Sequence, residues 1–155
     1  MPSACLSHRA PTTTQASILL VDDNCDGILA RRSILEELGY QVVTACCGSD
    51  ALQIADERPF GLVITDYKMS PMDGLELISN LRGRNIRTPI ILLTGFAESL
   101  GLRSGNTGAD VVIQKSSNEV ANLMRHTKRL VSPRKPFSSS PSASTTRSRT
   151  GTGKP

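Results

Sequence analysis

Leu62-Val63-Ile64-Thr65-Asp66 is a short apolar run that ends on a carboxylate, and Tyr67-Lys68-Met69-Ser70-Pro71-Met72-Asp73-Gly74 follows it at once. A run of that length, rich in Val and Ile and bounded by Gly61 and a Pro/Asp/Gly cluster, predicts a buried strand. Asp66 then stands at the strand's carboxyl end. In open parallel sheets that edge is where ligands bind, because the loops there leave a crevice between strand ends and helix N-termini.

Working outward from this strand, the chain alternates between two periodicities. Ile18-Leu19-Leu20-Val21 predicts a strand that stops on Asp22-Asp23, and Asn24 or Asp26 can cap a helix running to about Leu38, closed by Gly39. The apolar face of that helix is Ile28, Ile34, Leu35 and Leu38. Arg31 falls inside the same arc, a misfit read here as a snorkelling side chain at the core edge. Val42-Val43-Thr44 predicts a second strand, with Ser49 capping a helix to about Glu57. After Asp66, Asp73-Gly74 opens a helix through Leu75, Leu77, Ile78 and Leu81. Residues 89–94 and 111–115 read as two more strands. Between them Gly101, Ser104, Gly105, Asn106, Thr107 and Gly108 depress helix propensity, so that helix is expected to be short or mobile. Asn118 caps a last helix whose Val120, Leu123, Met124, Thr127, Leu130 and Val131 recur with helical spacing. Strand and helix alternate throughout, which predicts an α/β fold: one doubly wound, five-stranded parallel sheet with helices on both faces.

Charge and composition divide the chain of 155 residues. All 14 acidic residues lie within residues 17–131 with 12 of the 18 Lys and Arg, so this segment carries a net −2 although the whole chain is +4. The basic excess therefore belongs to the ends and says little about the folded part. Residues 1–16 are expected to form a flexible leader, residues 17–131 a single domain, and residues 132–155 a disordered basic tail rich in Ser, Thr and Pro, with no output domain after it. Cys5, Cys25, Cys46 and Cys47 show no CxxC spacing, which supports neither a zinc site nor a disulfide framework. Without a signal-peptide core or a membrane-length apolar run, a soluble cytoplasmic protein is expected.

Four strand ends carry polar chemistry: Asp22-Asp23, Asp66, Thr94 and Lys115. In a parallel sheet they project at one edge. Carboxylates crowded there repel one another and raise their pKa values unless a cation sits among them, and a hard divalent ion with oxygen ligands, Mg²⁺ foremost, resolves the conflict. An ionised Asp66 can attack phosphorus, and the charge on the transferred oxygens then needs donors, which the Lys115 ammonium and the Thr94 hydroxyl supply.

Val21-Asp22-Asp23, the Asp66 strand with Met69 and Met72-Asp73-Gly74, Leu92-Leu93-Thr94-Gly95, Gly108-Ala109-Asp110 and Lys115 together resemble the receiver domain of two-component response regulators. So many ordered matches over residues 18–131 are more specific than any single motif. The resemblance implies a flavodoxin-like (βα)5 fold with Asp66 as phosphoacceptor. Asp23 would ligate Mg²⁺ directly, Asp22 largely through a water, and the main-chain carbonyl of Lys68 would complete the protein's share. Thr94 and Lys115 would bind the phosphoryl oxygens, and the small Gly95 would leave the acyl phosphate open to water. The implied function is a stand-alone regulator that accepts a phosphoryl group from a sensor histidine kinase or phosphotransfer protein and signals through contacts with a downstream protein. It has no DNA-binding domain and no membrane part, it leaves homodimer formation open, and it catalyses only its own phosphorylation and dephosphorylation.

Three positions depart from the family pattern: Ser70-Pro71 replaces the usual order of the proline before Met72, Ser116 follows Lys115 where a proline is usual, and Val112 stands where many relatives carry an aromatic residue. They motivate an alternative, a degenerate receiver that acts as a phosphorylation-independent interaction module. A haloacid-dehalogenase-like phosphatase also uses a strand-end Asp, but it needs a second Asp two residues later, where this chain has Lys68. Of the remaining polar side chains, Cys25 is read as an inert thiol and His126 as a solvated face residue.

Overall fold

The computed structural model describes residues 16–131, so the leader apart from Ala16, and the whole basic tail, lie outside the described residues. Five strands, β1 (Ser17–Val21), β2 (Gln41–Ala45), β3 (Leu62–Asp66), β4 (Ile90–Thr94) and β5 (Val111–Gln114), alternate with five helices, α1 (Cys25–Glu37), α2 (Gly48–Glu57), α3 (Gly74–Gly83), α4 (Ser104–Thr107) and α5 (Glu119–Val131). The strands form one parallel sheet in the order β2-β1-β3-β4-β5. Parallel strands covered on both faces read as continuous apolar runs, and β3 and β4 are buried at every residue.

Side chains alternate between two cores. Leu19, Val21, Val63 and Leu92 pack with Leu52, Leu77, Ile78 and Leu81 of α2 and α3, whereas Ile18, Leu20, Leu62, Ile64, Leu93 and Ile113 pack with Ile28, Leu35 and Leu123 of α1 and α5. Each fully buried Leu or Ile stabilises the fold by about 1.5–3 kcal/mol, so the sheet is held from both sides. Asp66 shares the parity of Leu62 and Ile64 along β3. Among the described residues no helix is long and apolar enough to cross a membrane.

Several local expectations hold. Asn24 caps α1, accepting from the backbone N–H of Asp26 and Gly27, and Asp73 caps α3 in a reciprocal box with Glu76. The helix between β4 and β5 shrinks to the four residues of α4, as its glycines predict. Others need correction. The N-cap of α2 is Cys47 and not Ser49, and it makes no side-chain cap bond. The helix starts at Gly48, buried so closely against Met72 that an added Cβ would lie 2.6 Å from the Met72 sulfur. Val120, expected on the apolar face of α5, is exposed, and Leu123 and Thr127 are the residues of that helix that are buried. His126 is half-buried on its helix face: its Nδ1 is covered without a hydrogen-bond partner among the described residues, and burial pushes its pKa down, helped by Arg129 and Arg125.

Candidate functional site

Strand register assembles the site. Val21 lies opposite Thr65, so Asp22 emerges beside Asp66, and Asp66 lies opposite Leu93, one residue before Thr94. The Thr94 carbonyl in turn accepts the Lys115 N–H at 2.8 Å. Gly74 sets the loop after Asp66: its N–H bonds the Tyr67 carbonyl at 2.9 Å, and an added Cβ would stand 2.4 Å from the Asp66 carbonyl oxygen. Only glycine lets the start of α3 approach β3 this closely. Ser70-Pro71 is a cis peptide bond in the same loop.

All of the predicted residues meet. Asp22, Asp23, Asn24, Asp66, Lys68, Thr94, Gly95, Phe96 and Lys115 line one cavity of about 260 Å³. Asp22, Asp23 and Asp66 each place a carboxylate oxygen within 4.8 Å of the others. The Asp22 and Asp66 side chains are buried, and Asp23 is exposed. Lys115 Nζ stands 2.6 Å from Asp66 Oδ1, so a serine in place of the usual proline at 116 does not misdirect the ammonium. Thr94 is buried, and its Oγ1 accepts the Phe96 N–H at 3.1 Å, which ties the β4–α4 loop to the site. Val112 is half-buried against the α2/α3 core.

Arg31 corrects the sequence reading most. It is not a snorkelling side chain: its Nη1 bonds Asp22 Oδ2 at 2.7 Å, and its Nε and Nη2 each reach Glu119 Oε1 at 2.7 Å. Neither Arg31 nor Glu119 was among the site candidates. The one signal in the sequence was an arginine inside an apolar arc, since a partner 88 residues away leaves no local trace. A second cleft, about 300 Å³, lies at the opposite edge of the sheet around Pro59, Phe60 and Ile86. Its Asp56 is already paired with Arg84, and it holds no carboxylate cluster.

Burial pushes the Asp66 carboxyl above its ordinary value, against the opposing hydrogen bond and charge of Lys115. The native state then binds this proton more tightly than the unfolded chain does, so stability falls as pH rises from 3.8 through the native titration, and at neutral pH the carboxylate costs stability. Asp66→Asn is therefore expected to raise the melting temperature at neutral pH in a chelator. A lowered melting temperature would contradict this balance of burial against pairing.

Three hard oxygen donors converging on one point suit a small divalent cation such as Mg²⁺, which accepts carboxylates and keeps some of its waters. The buried Asp66, whose desolvation outweighs its pairing with Lys115, is the kind of ligand that such an ion stabilises.

Comparisons with known proteins agree with this geometry. The model of the response regulator receiver domain family matches residues 18–127. The transcriptional regulatory protein ZraR of Salmonella typhimurium is 35% identical over 80 residues, covering 52% of this chain and 18% of the relative's length. The receiver domain of a signal transduction histidine kinase from Syntrophus aciditrophicus is 35% identical with a TM-score of 0.71, over 80% of this chain and 96% of that one. TrrA of Thermotoga maritima, solved in complex with Mg²⁺ and BeF, is 34% identical with a TM-score of 0.66, over 75% of this chain and 99% of that one. With two cores on a five-stranded sheet, one strand-edge acid cluster and a family match over most of its length, this chain belongs to the receiver domains of two-component response regulators, which are signalling domains.

Proposed function

We propose that this receiver accepts a phosphoryl group on Asp66 from the phosphohistidine of a sensor histidine kinase or phosphotransfer protein, in an Mg²⁺-dependent reaction, and that a downstream protein reads the altered surface. The observation that carries this reading is the convergence of Asp22, Asp23 and Asp66 within 4.8 Å, with Lys115 Nζ 2.6 Å from Asp66. An Asp66 oxygen attacks phosphorus, a P–O bond forms as the P–N bond to the donor imidazole breaks, and the released imidazole takes up a proton. Lys115 moves from the carboxylate to the incoming phosphoryl oxygens. The Thr94 hydroxyl, free to donate while it accepts from Phe96, supplies a second hydrogen bond. Asp22, Asp23 and Asp66, with the Lys68 carbonyl, would hold the Mg²⁺, which when bound neutralises the acids and the transferred oxygens. Phosphorylation biases the fold through differential contacts, chiefly a closer Thr94 and the loop it carries.

Beryllofluoride tests this reading against a phosphorylation-independent module. With Mg²⁺ it is expected to raise the melting temperature of the wild type and to leave that of Asp66→Ala unchanged. No response from the wild type would favour the degenerate module.

A further inference from the structure

Both oxygens of Asp22 are already engaged. Oδ1 accepts the Asn24 N–H at 2.9 Å, and Oδ2 accepts Arg31 Nη1 at 2.7 Å. By contrast, the Asp23 carboxylate has no side-chain partner among the described residues. The Arg31 side chain is 11% exposed and ties α1 to α5, since the other edge of its guanidinium is held by Glu119, the first residue of α5, whose side chain is 17% exposed. Room for it is made by Gly27, inside α1, where a Cβ would lie 2.8 Å from Arg31 Nη1 and 3.0 Å from Asp22 Oδ2. A larger residue at this position in the first turn of α1 would push the tip of Arg31 aside. A largely covered arginine in the apolar arc of α1, held by Asp22 on one side and Glu119 on the other, is a built feature behind the pocket wall.

We propose that Arg31 is an internal counter-cation of the acidic pocket: it competes with the divalent ion for Asp22 and couples ion binding to the tie between α1 and α5. This rests on reading Asp22, Asp23 and Asp66 as an Mg²⁺ site. Of the four carboxylates in and behind the pocket, Asp22 and Glu119 are paired with Arg31 and Asp66 with Lys115, while Lys68 lies on the pocket wall. A guanidinium is a permanent cation, so the charge beside Asp22 opposes an incoming ion. Asp22 released to the ion leaves Arg31 to Glu119 alone, and by linkage whatever strengthens or weakens the hold of Glu119 on Arg31 changes the affinity for the ion. Arg31 is a positioning residue, since it acts through Asp22 and touches neither phosphoryl group nor donor.

Arg31, which holds Asp22, and Glu119, which holds Arg31, predict effects of opposite sign. Arg31→Met removes the competing charge and is expected to tighten Mg²⁺ binding about tenfold in a calorimetric titration, within the usual range of a coupling free energy between two sites. It also lowers the melting temperature in a chelator, because a buried acid loses its partner, and Mg²⁺ restores it. Arg31→Lys keeps a cation in the pocket and stays near the wild-type affinity. Glu119→Gln leaves Arg31 wholly to Asp22 and weakens Mg²⁺ binding a few-fold. It also serves if Arg31→Met fails to fold. Unchanged or weaker Mg²⁺ binding in folded Arg31→Met, or tighter binding in Glu119→Gln, overturns the role of Arg31. No uptake by the wild type together with uptake by Arg31→Met would support the counter-cation and overturn the Mg²⁺-dependent function. No uptake by either protein would overturn both.

Discussion

Lys115→Ala is expected to slow phosphoryl transfer from acetyl phosphate to Asp66 by about 100- to 1,000-fold, the usual cost of removing one preorganised donor from developing phosphoryl charge. Lys115 Nζ lies 2.6 Å from Asp66 Oδ1, and under the proposed function it would meet the incoming oxygens from there. Its removal acts twice. The transferred oxygens lose a cation, and Asp66 loses the principal influence that holds its pKa down against burial. The same loss removes a positive charge from the edge of the acid cluster, so Mg²⁺ binding holds or strengthens while transfer fails. Stopped-time labelling with a parallel Mg²⁺ titration checks both halves. A variant that transfers at the wild-type rate would show that the pair is a static ion bridge.

Asp23→Asn is expected to abolish Mg²⁺-dependent labelling and to weaken Mg²⁺ binding by 10- to 100-fold or more, the range in which even outer-shell partners of a metal are felt. The reason lies in how unequally the three acids are committed. Asp22 is held by Arg31 and the Asn24 N–H, Asp66 faces Lys115, and Asp23 alone is exposed with no side-chain partner among the described residues. It is therefore the carboxylate that a cation can take at no cost in broken contacts. For the same reason its loss leaves the fold intact, and the melting temperature in a chelator should be unchanged or slightly raised as like-charge repulsion falls. Equal labelling of Asp23→Asn and wild type would remove this residue from the ligand set.

What was legible in the chain is what depends on neighbouring residues. The five apolar runs found their strands because parallel strands buried on both faces need no alternation, and the acids and lysine at their ends met because parallel register leaves them no other edge. The weakness of α4 was likewise written locally, in its glycines. Arg31 was not readable, because helical periodicity identifies which face a residue is on and not which distant acid waits there; Glu119 comes to it only through the packing of α5 against the α1 side of the sheet. The start of α2 was misplaced because Ser49 is a good cap in isolation, whereas close packing of Gly48 on Met72 fixes where the helix begins. In α5, Leu123 and Thr127 are buried as their spacing predicts, whereas Val120, in the first turn of the helix, is exposed.

The central claim is that an acid cluster at the sheet's edge, reconciled by a divalent ion, makes Asp66 a phosphate carrier. Peptide mass spectrometry of the protein after acetyl phosphate treatment, with Mg²⁺ or with a chelator, tests it most directly. The account predicts a single phosphoryl adduct, carried by the peptide containing Asp66 and formed only with Mg²⁺. An unmodified Asp66 peptide in the presence of Mg²⁺, or an adduct of equal yield in the chelator, would contradict it.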